Sequence, residues 1–98
     1  MRIIARPALI AFWKRHPDAK EPLEAWHHIV RKRTFASSHE VKELFGTASI
    51  LRGGLVVFNI GGNKYRLVVH MRYDLGISFI KEVLTHRAYD EWTEARKK

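Results

Sequence analysis

The run from Leu55 to Arg72 constrains this chain most. Leu55-Val56-Val57-Phe58-Asn59-Ile60 is β-branched and aromatic, and Gly61-Gly62-Asn63 then supplies residues that tolerate positive φ. A second extended run, Lys64 to Arg72, follows at once. Two such runs joined by such a turn predict an antiparallel hairpin. The second run alternates: Tyr65, Leu67, Val69 and Met71 point one way, and Lys64, Arg66, Val68, His70 and Arg72 the other. With a period of two, one face is apolar and the other carries three cations and a histidine.

The flanking segments predict what covers the apolar face. Met1 to Ala5 reads as a first strand, with β-branched Ile3 and Ile4. Pro7 suits the first turn of a helix that runs to about His16, with Leu9, Ile10 and Trp13 as its stripe, and Pro17 ends it. A second helix opens near Asp18, where Asp18 and Glu21 have capping-box spacing. Leu23, Trp26 and Val30 form its buried face, and Arg31-Lys32-Arg33 closes it with charge that complements the helix dipole. Ser37 and Glu40 repeat the capping-box spacing, which predicts a short helix from about Ser38 to Phe45 stopped by Gly46. Thr47 to Gly54 reads as a loop. After the hairpin, Tyr73-Asp74-Leu75-Gly76 turns the chain into a last strand from Ile77 to Leu84. Its alternation shows no clean polar face, as expected of a strand covered on both sides. Thr85 is a plausible N-cap for a final helix from His86 to about Ala95, followed by a frayed basic end, Arg96-Lys97-Lys98.

Helices followed by a run of strands indicate an α+β domain spanning residues 1–98. The expected architecture is an N-terminal strand and two to three helices packed on one face of a mainly antiparallel sheet of about four strands. The opposite, basic face is expected to stay open.

Charge narrows the partner. Eighteen Lys and Arg against ten Asp and Glu give a net charge of +8 and a pI near 10.2, which suits RNA, DNA or an acidic protein. With no cysteine, disulfides and thiolate zinc sites are excluded. His27 and His28 are adjacent, so on a helix they diverge by about 100° and make a poor metal pair. No apolar run approaches the roughly 18 to 20 residues of a membrane span. The run from Pro7 to Trp13 leads into Lys14-Arg15 and reads as part of the domain, not a signal peptide. The expectation is a cytoplasmic protein without metal, cofactor or membrane attachment.

The motifs between Val57 and Asp90 carry a resemblance. Val57-Phe58-Asn59-Ile60-Gly61-Gly62-Asn63, Tyr65-Arg66-Leu67, Ile80-Lys81-Glu82-Val83, Thr85-His86 and Tyr89-Asp90 resemble the HigB toxins of the RelE-like superfamily. The resemblance extends along the helical first half. It implies a toxin of a type II toxin–antitoxin module with the fold of small microbial ribonucleases. Such toxins cut mRNA, often on the translating ribosome, and are silenced by a cognate antitoxin. The expected antitoxin is of helix-turn-helix type, and operator DNA is bound through it.

Metal-free RNA cleavage needs a base for the ribose 2′-OH, cations around the phosphorane, and an acid for the 5′-oxygen. Arg66 is the expected phosphate clamp, because guanidinium binds phosphate oxygens bidentately; the competing role is a surface ion pair with Glu82. His86 is the expected general acid or base, since imidazole titrates near neutral pH and a helix N-terminus attracts phosphate; the competing role is helix capping. Tyr89 and Asp90 share its helix face. Tyr89 would bind the phosphate, stack on a base or pack in the core, and Asp90 would orient His86 or stabilise the first turn. Lys81 completes the catalytic set. Lys64, His70, Arg72, Asn59 and Arg33 are expected RNA contacts, each with a structural role as competitor. Trp92 is the most exposed-looking tryptophan and a candidate antitoxin contact. Two other readings compete with the nuclease: a non-catalytic module that binds nucleic acid or antitoxin, and an inactive toxin remnant.

Overall fold

The computed structural model of the chain describes residues 1–97, so Lys98 of the basic end lies outside the described residues. The elements are β1 (Arg2–Ile4), α1 (Pro7–Arg15), a 3-10 turn (Pro17–Ala19), α2 (Lys20–Arg31), α3 (Ser38–Leu44), β2 (Ser49–Ile50), a 3-10 turn (Arg52–Gly54), β3 (Leu55–Ile60), β4 (Tyr65–Arg72), β5 (Ile77–Thr85) and α4 (His86–Arg96). The strands form one five-stranded sheet in the order β1-β5-β4-β3-β2. All pairs are antiparallel except β1 with β5, which is parallel. The α+β expectation holds, with a fifth strand: Ser49–Ile50 lies within the stretch expected to be loop and pairs with Val56 and Val57.

The hairpin forms as its residues dictate. Ile60 pairs with Tyr65, and Gly61 and Gly62 both take positive φ, at 64° and 70°. Lys64 therefore sits in the loop, one residue before the strand predicted to contain it.

The core lies on the predicted apolar face. Leu67, Val69 and Met71 of β4, with Val56, Phe58 and Ile60 of β3, pack against Leu23, Trp26 and Val30 of α2, and Leu9 and Phe12 of α1. Phe58 is the centre of an aromatic cluster, with Trp26 and Phe45 edge-on at 5.4 and 4.9 Å between centroids. Truncating a ring buried this fully costs about 3 to 5 kcal/mol.

Both predicted capping boxes resolve differently. Asp18 lies in the 3-10 turn before α2 and makes no cap bond; its carboxylate instead reaches across to the hairpin. Ser37 is the residue before α3 but its hydroxyl caps nothing, while the Glu40 carboxylate accepts the Ala36 N–H at 3.1 Å.

The opposite face of the sheet is not open. Val57 and Val68 are each 1% exposed and Arg66 8%. Helix α4 folds back over β4 and β5 on this side and brings Tyr89 onto Arg66. A β-bulge explains the ambiguous alternation of β5. Val68 pairs with Glu82 but Val69 pairs with Ile80, so Lys81 is an extra residue in β5. Ser78 and Ile80 face the core before it, and Val83 and Thr85 after it, opposite core-facing Leu67 and Tyr65. The phase reverses where a strict period of two would have continued.

Candidate active site

The site is built at the hairpin end of the covered face. Arg66 stands on β4 between Asn59 of β3 and Leu84 of β5. The register places Leu84 opposite it, whereas Glu82 is opposite Val68, and among the described residues no ion pair to Glu82 forms. The guanidinium is fastened to the hairpin loop: Nη1 donates to the Asn63 and Tyr65 carbonyls at 3.0 and 3.2 Å, and Nη2 to Asn63 Oδ1 at 2.9 Å. Arginine has five N–H donors, so these three bonds leave Nε–H and one Nη2–H uncommitted on one edge. That edge matches the two-oxygen face of a phosphate.

Over the guanidinium lies Tyr89, with Arg66 Cζ 5.4 Å from the ring centroid. Tyr89 in turn stacks on Trp92 at 5.7 Å, and Arg96 lies 4.8 Å from the Trp92 ring. Trp92 is therefore half-buried in a ladder of aromatic and guanidinium planes, less exposed than the sequence suggested.

Thr85 sets where α4 begins. Its Oγ1 accepts the Ala88 N–H at 3.1 Å, so Thr85 is the N-cap and His86 the first helical residue. His86 Nδ1 lies 3.4 Å from Asp90 Oδ2, and both side chains are more than half exposed. With the carboxylate beside Nδ1, Nε2 is the ring nitrogen available to another partner. One helical turn separates His86 from Tyr89, which carries this pair to the Arg66 end of the sheet.

Of the remaining candidates, Asn59 stands beside Arg66 and the others are not gathered there. His70 is on the Arg66 face but two pleats away along β4, about 13 Å at the usual strand rise. It is wedged against Gly54, where an added Cβ would come within 3.0 Å of the ring, and it lies 6.1 Å from Phe79. Arg72 clamps the next turn, with Nε and Nη2 donating to Asp74 at 3.1 and 2.9 Å. Lys64 pairs with Asp18, whose other oxygen accepts the Tyr65 hydroxyl at 2.5 Å. These bonds hold the Asp18 carboxyl below its usual 3.8, with the Lys64 bond the larger cause, and push Lys64 and Tyr65 upward. Asn59 is the cross-strand neighbour of Arg66. Lys81 is exposed on the bulge, and Arg33 is exposed just beyond α2, in the helical layer. Asn63 is the residue that sequence reasoning missed: it read only as a turn former, though an amide three residues before a mid-strand arginine is in reach of its guanidinium.

With this geometry in hand, comparison with known proteins places the chain. Residues 19–92 match the family described as HigB_toxin, RelE-like toxic component of a toxin–antitoxin system. The chain belongs to the HigB toxin family. Among HigB relatives, the mRNA interferase toxin HigB of Escherichia coli (strain K12) is 28% identical over 99% of this chain and 95% of its own length. The mRNA interferase HigB of Shigella flexneri gives the same figures, 28%, 99% and 95%. The mRNA interferase HigB of Escherichia coli O6:H1 is 21% identical over 95% of this chain and 92% of its own. The family match covers Arg66, Tyr89 and His86 of this HigB toxin. No helix among its described residues is long and apolar enough to cross a membrane.

Proposed function

We propose that this HigB-family toxin is an mRNA interferase that cleaves RNA at the Arg66, Tyr89 and His86 arrangement. Its relatives named mRNA interferase support this reading. The observation that carries it is the Arg66 guanidinium, locked by Asn63 and Tyr89 with one donor edge uncommitted beside a helix that opens on an exposed histidine. The strand to be cut places its scissile phosphate on that edge. The ribose 2′-oxygen attacks phosphorus as its proton passes to a base, the P–O5′ bond breaks, and an acid returns a proton to the 5′-oxygen. His86, with Asp90 behind its Nδ1, serves one of these proton transfers, worth about 10²- to 10⁴-fold. Arg66 holds the growing charge of the phosphorane, Tyr89 meets the phosphate or a base, and Lys81 adds positive potential. Asn59 lies beside Arg66 as a base contact. Lys64, His70, Arg72 and Arg33 act at most on the flanking strand, since their partners and positions keep them from the scissile phosphate. No metal enters this scheme, and the substrate is mRNA on translating ribosomes in the cytoplasm. A cognate antitoxin of helix-turn-helix type neutralises the toxin and carries the complex to operator DNA.

One observation favours a second reading for Arg66. At 8% exposure and with three bonds to the loop, it is also placed to position Tyr89 without touching RNA. The chemistry of the ends tests the reaction itself. Transesterification leaves 2′,3′-cyclic phosphate and 5′-hydroxyl ends on purified cleavage products. Products bearing 5′-phosphate and 3′-hydroxyl ends would overturn the scheme.

A further inference from the structure

The hairpin loop that fastens Arg66 is itself held from the other side of the sheet. Tyr65 and Arg66 are consecutive in β4, so their side chains point to opposite faces. The Tyr65 ring enters the helical layer, where Phe12 meets it edge-on at 5.2 Å and His16 lies 5.5 Å away between centroids. There its hydroxyl donates to Asp18 Oδ1 at 2.5 Å, and Lys64 Nζ donates to Oδ2 of the same carboxylate. On the far face the Arg66 guanidinium donates to the Asn63 and Tyr65 carbonyls and to Asn63 Oδ1. The segment 63–65 is therefore gripped twice. Asp18 takes the side chains of Lys64 and Tyr65, Arg66 takes the main chain of Asn63 and Tyr65, and Tyr65 is common to both grips.

Asp18 is mounted stiffly for this. It sits in the 3-10 turn Pro17–Ala19 between α1 and α2, with one φ fixed by Pro17 and Ala19 fully buried beneath it. It makes no helix-cap bond, so its carboxylate is committed to the hairpin. The other limb of the loop is pliable, because Gly61 and Gly62 both lie at positive φ, where glycine bends at little cost. Without an anchor at residues 64 and 65, the loop and the guanidinium it holds would shift together. We propose that Asp18 is a positioning residue for cleavage: from the helical layer it fixes residues 63–65, and through them the direction in which Arg66 presents its uncommitted donor edge. The proposal rests on the reading of Arg66 as the phosphate clamp. The Lys64 bond is largely exposed and the Tyr65 bond part-buried, so Tyr65 carries most of the constraint.

The test is single-turnover cleavage of a translated reporter mRNA over a range of toxin concentrations, which separates the maximal rate from the half-saturating concentration. A reacting group displaced by about 1 Å costs on the order of 10²-fold in rate, and a loosened one less. Asp18→Ala and Tyr65→Phe are each expected to lower the maximal rate about tenfold with little change in half-saturation. Lys64→Met is expected to cost less than either, and Asp18→Glu to keep part of the rate that Asp18→Ala loses. In an Arg66→Ala background, Asp18→Ala is expected to slow cleavage no further, because the group it positions is gone. Val41→Ala, which opens a cavity in the core outside both grips, controls for stability and is expected to keep the parent rate where circular dichroism shows every variant folded. A parent maximal rate in Asp18→Ala, or an equal loss from Asp18→Ala with and without Arg66, overturns the proposal and leaves the clamp reading standing. So does a loss in Val41→Ala that matches the loss in Asp18→Ala, which would make Asp18 a stabilising contact only. A parent rate in Arg66→Ala overturns both.

Discussion

The Arg66 guanidinium lies 5.4 Å from the centre of the Tyr89 ring, joining the middle of the sheet to the first turns of the last helix. The contact joins the strand that carries the proposed phosphate clamp to the helix that opens on His86. It also closes a sheet face that would otherwise be open.

Tyr89 separates packing from chemistry. Tyr89→Phe keeps the ring over Arg66 and is expected to preserve stability in urea titrations while slowing cleavage about tenfold through removal of the hydroxyl. Tyr89→Ala also removes the cation–π interaction, worth about 1 kcal/mol in this partly buried setting, and is expected to lower both stability and cleavage. Equal cleavage by Tyr89→Phe and the parent would assign Tyr89 to packing alone.

Asn63 should behave as a positioning residue. Asn63→Ala removes the Oδ1 acceptor at 2.9 Å but keeps both backbone carbonyl bonds to Nη1, so only Nη2 loses its anchor. A hydrogen bond to a charged group is worth about 1.5 to 3 kcal/mol. The expected result is a lower kcat with little change in KM, and partial rescue by Asn63→Asp. An effect confined to stability, with kcat untouched, would make the amide structural.

Stability should fall in acid through Asp18. Its folded pKa lies below the usual 3.8, chiefly through Lys64 and then Tyr65. A depressed carboxylate contributes stability that is fully present above the unfolded value and is lost as pH drops through the folded one. Thermal melts from pH 7 to 2 should show the parent losing stability below about pH 4 more steeply than Asp18→Asn. Parallel curves would show that the bridge contributes nothing to folding.

Much of the fold was legible because periodicity reports burial. The helical stripe of α2, the Gly61-Gly62 turn and the two faces of β4 follow from residue type and spacing. Phase defects and long-range pairing are not written that way. The bulge at Lys81 looks like noise in the alternation of β5, and parallel pairing of β1 with β5 joins segments about seventy-five residues apart. Alternation placed Arg66, His70 and Arg72 on one face but could not say that α4 covers the Arg66 end, that Gly54 wedges His70, or that Asp74 occupies Arg72. Lys64 looked free because its partner, Asp18, is forty-six positions away and read as a helix cap. The tie from Asn63 to Arg66 is local, and the turn chemistry of the loop hid it.

The most direct test compares cleavage of a translated reporter mRNA by the parent toxin, Arg66→Ala and His86→Ala, each verified as folded by circular dichroism. The account predicts that His86→Ala slows cleavage by about 10²- to 10⁴-fold and Arg66→Ala by about 10²- to 10³-fold. Parent rates and an unchanged cut pattern in both variants would contradict it.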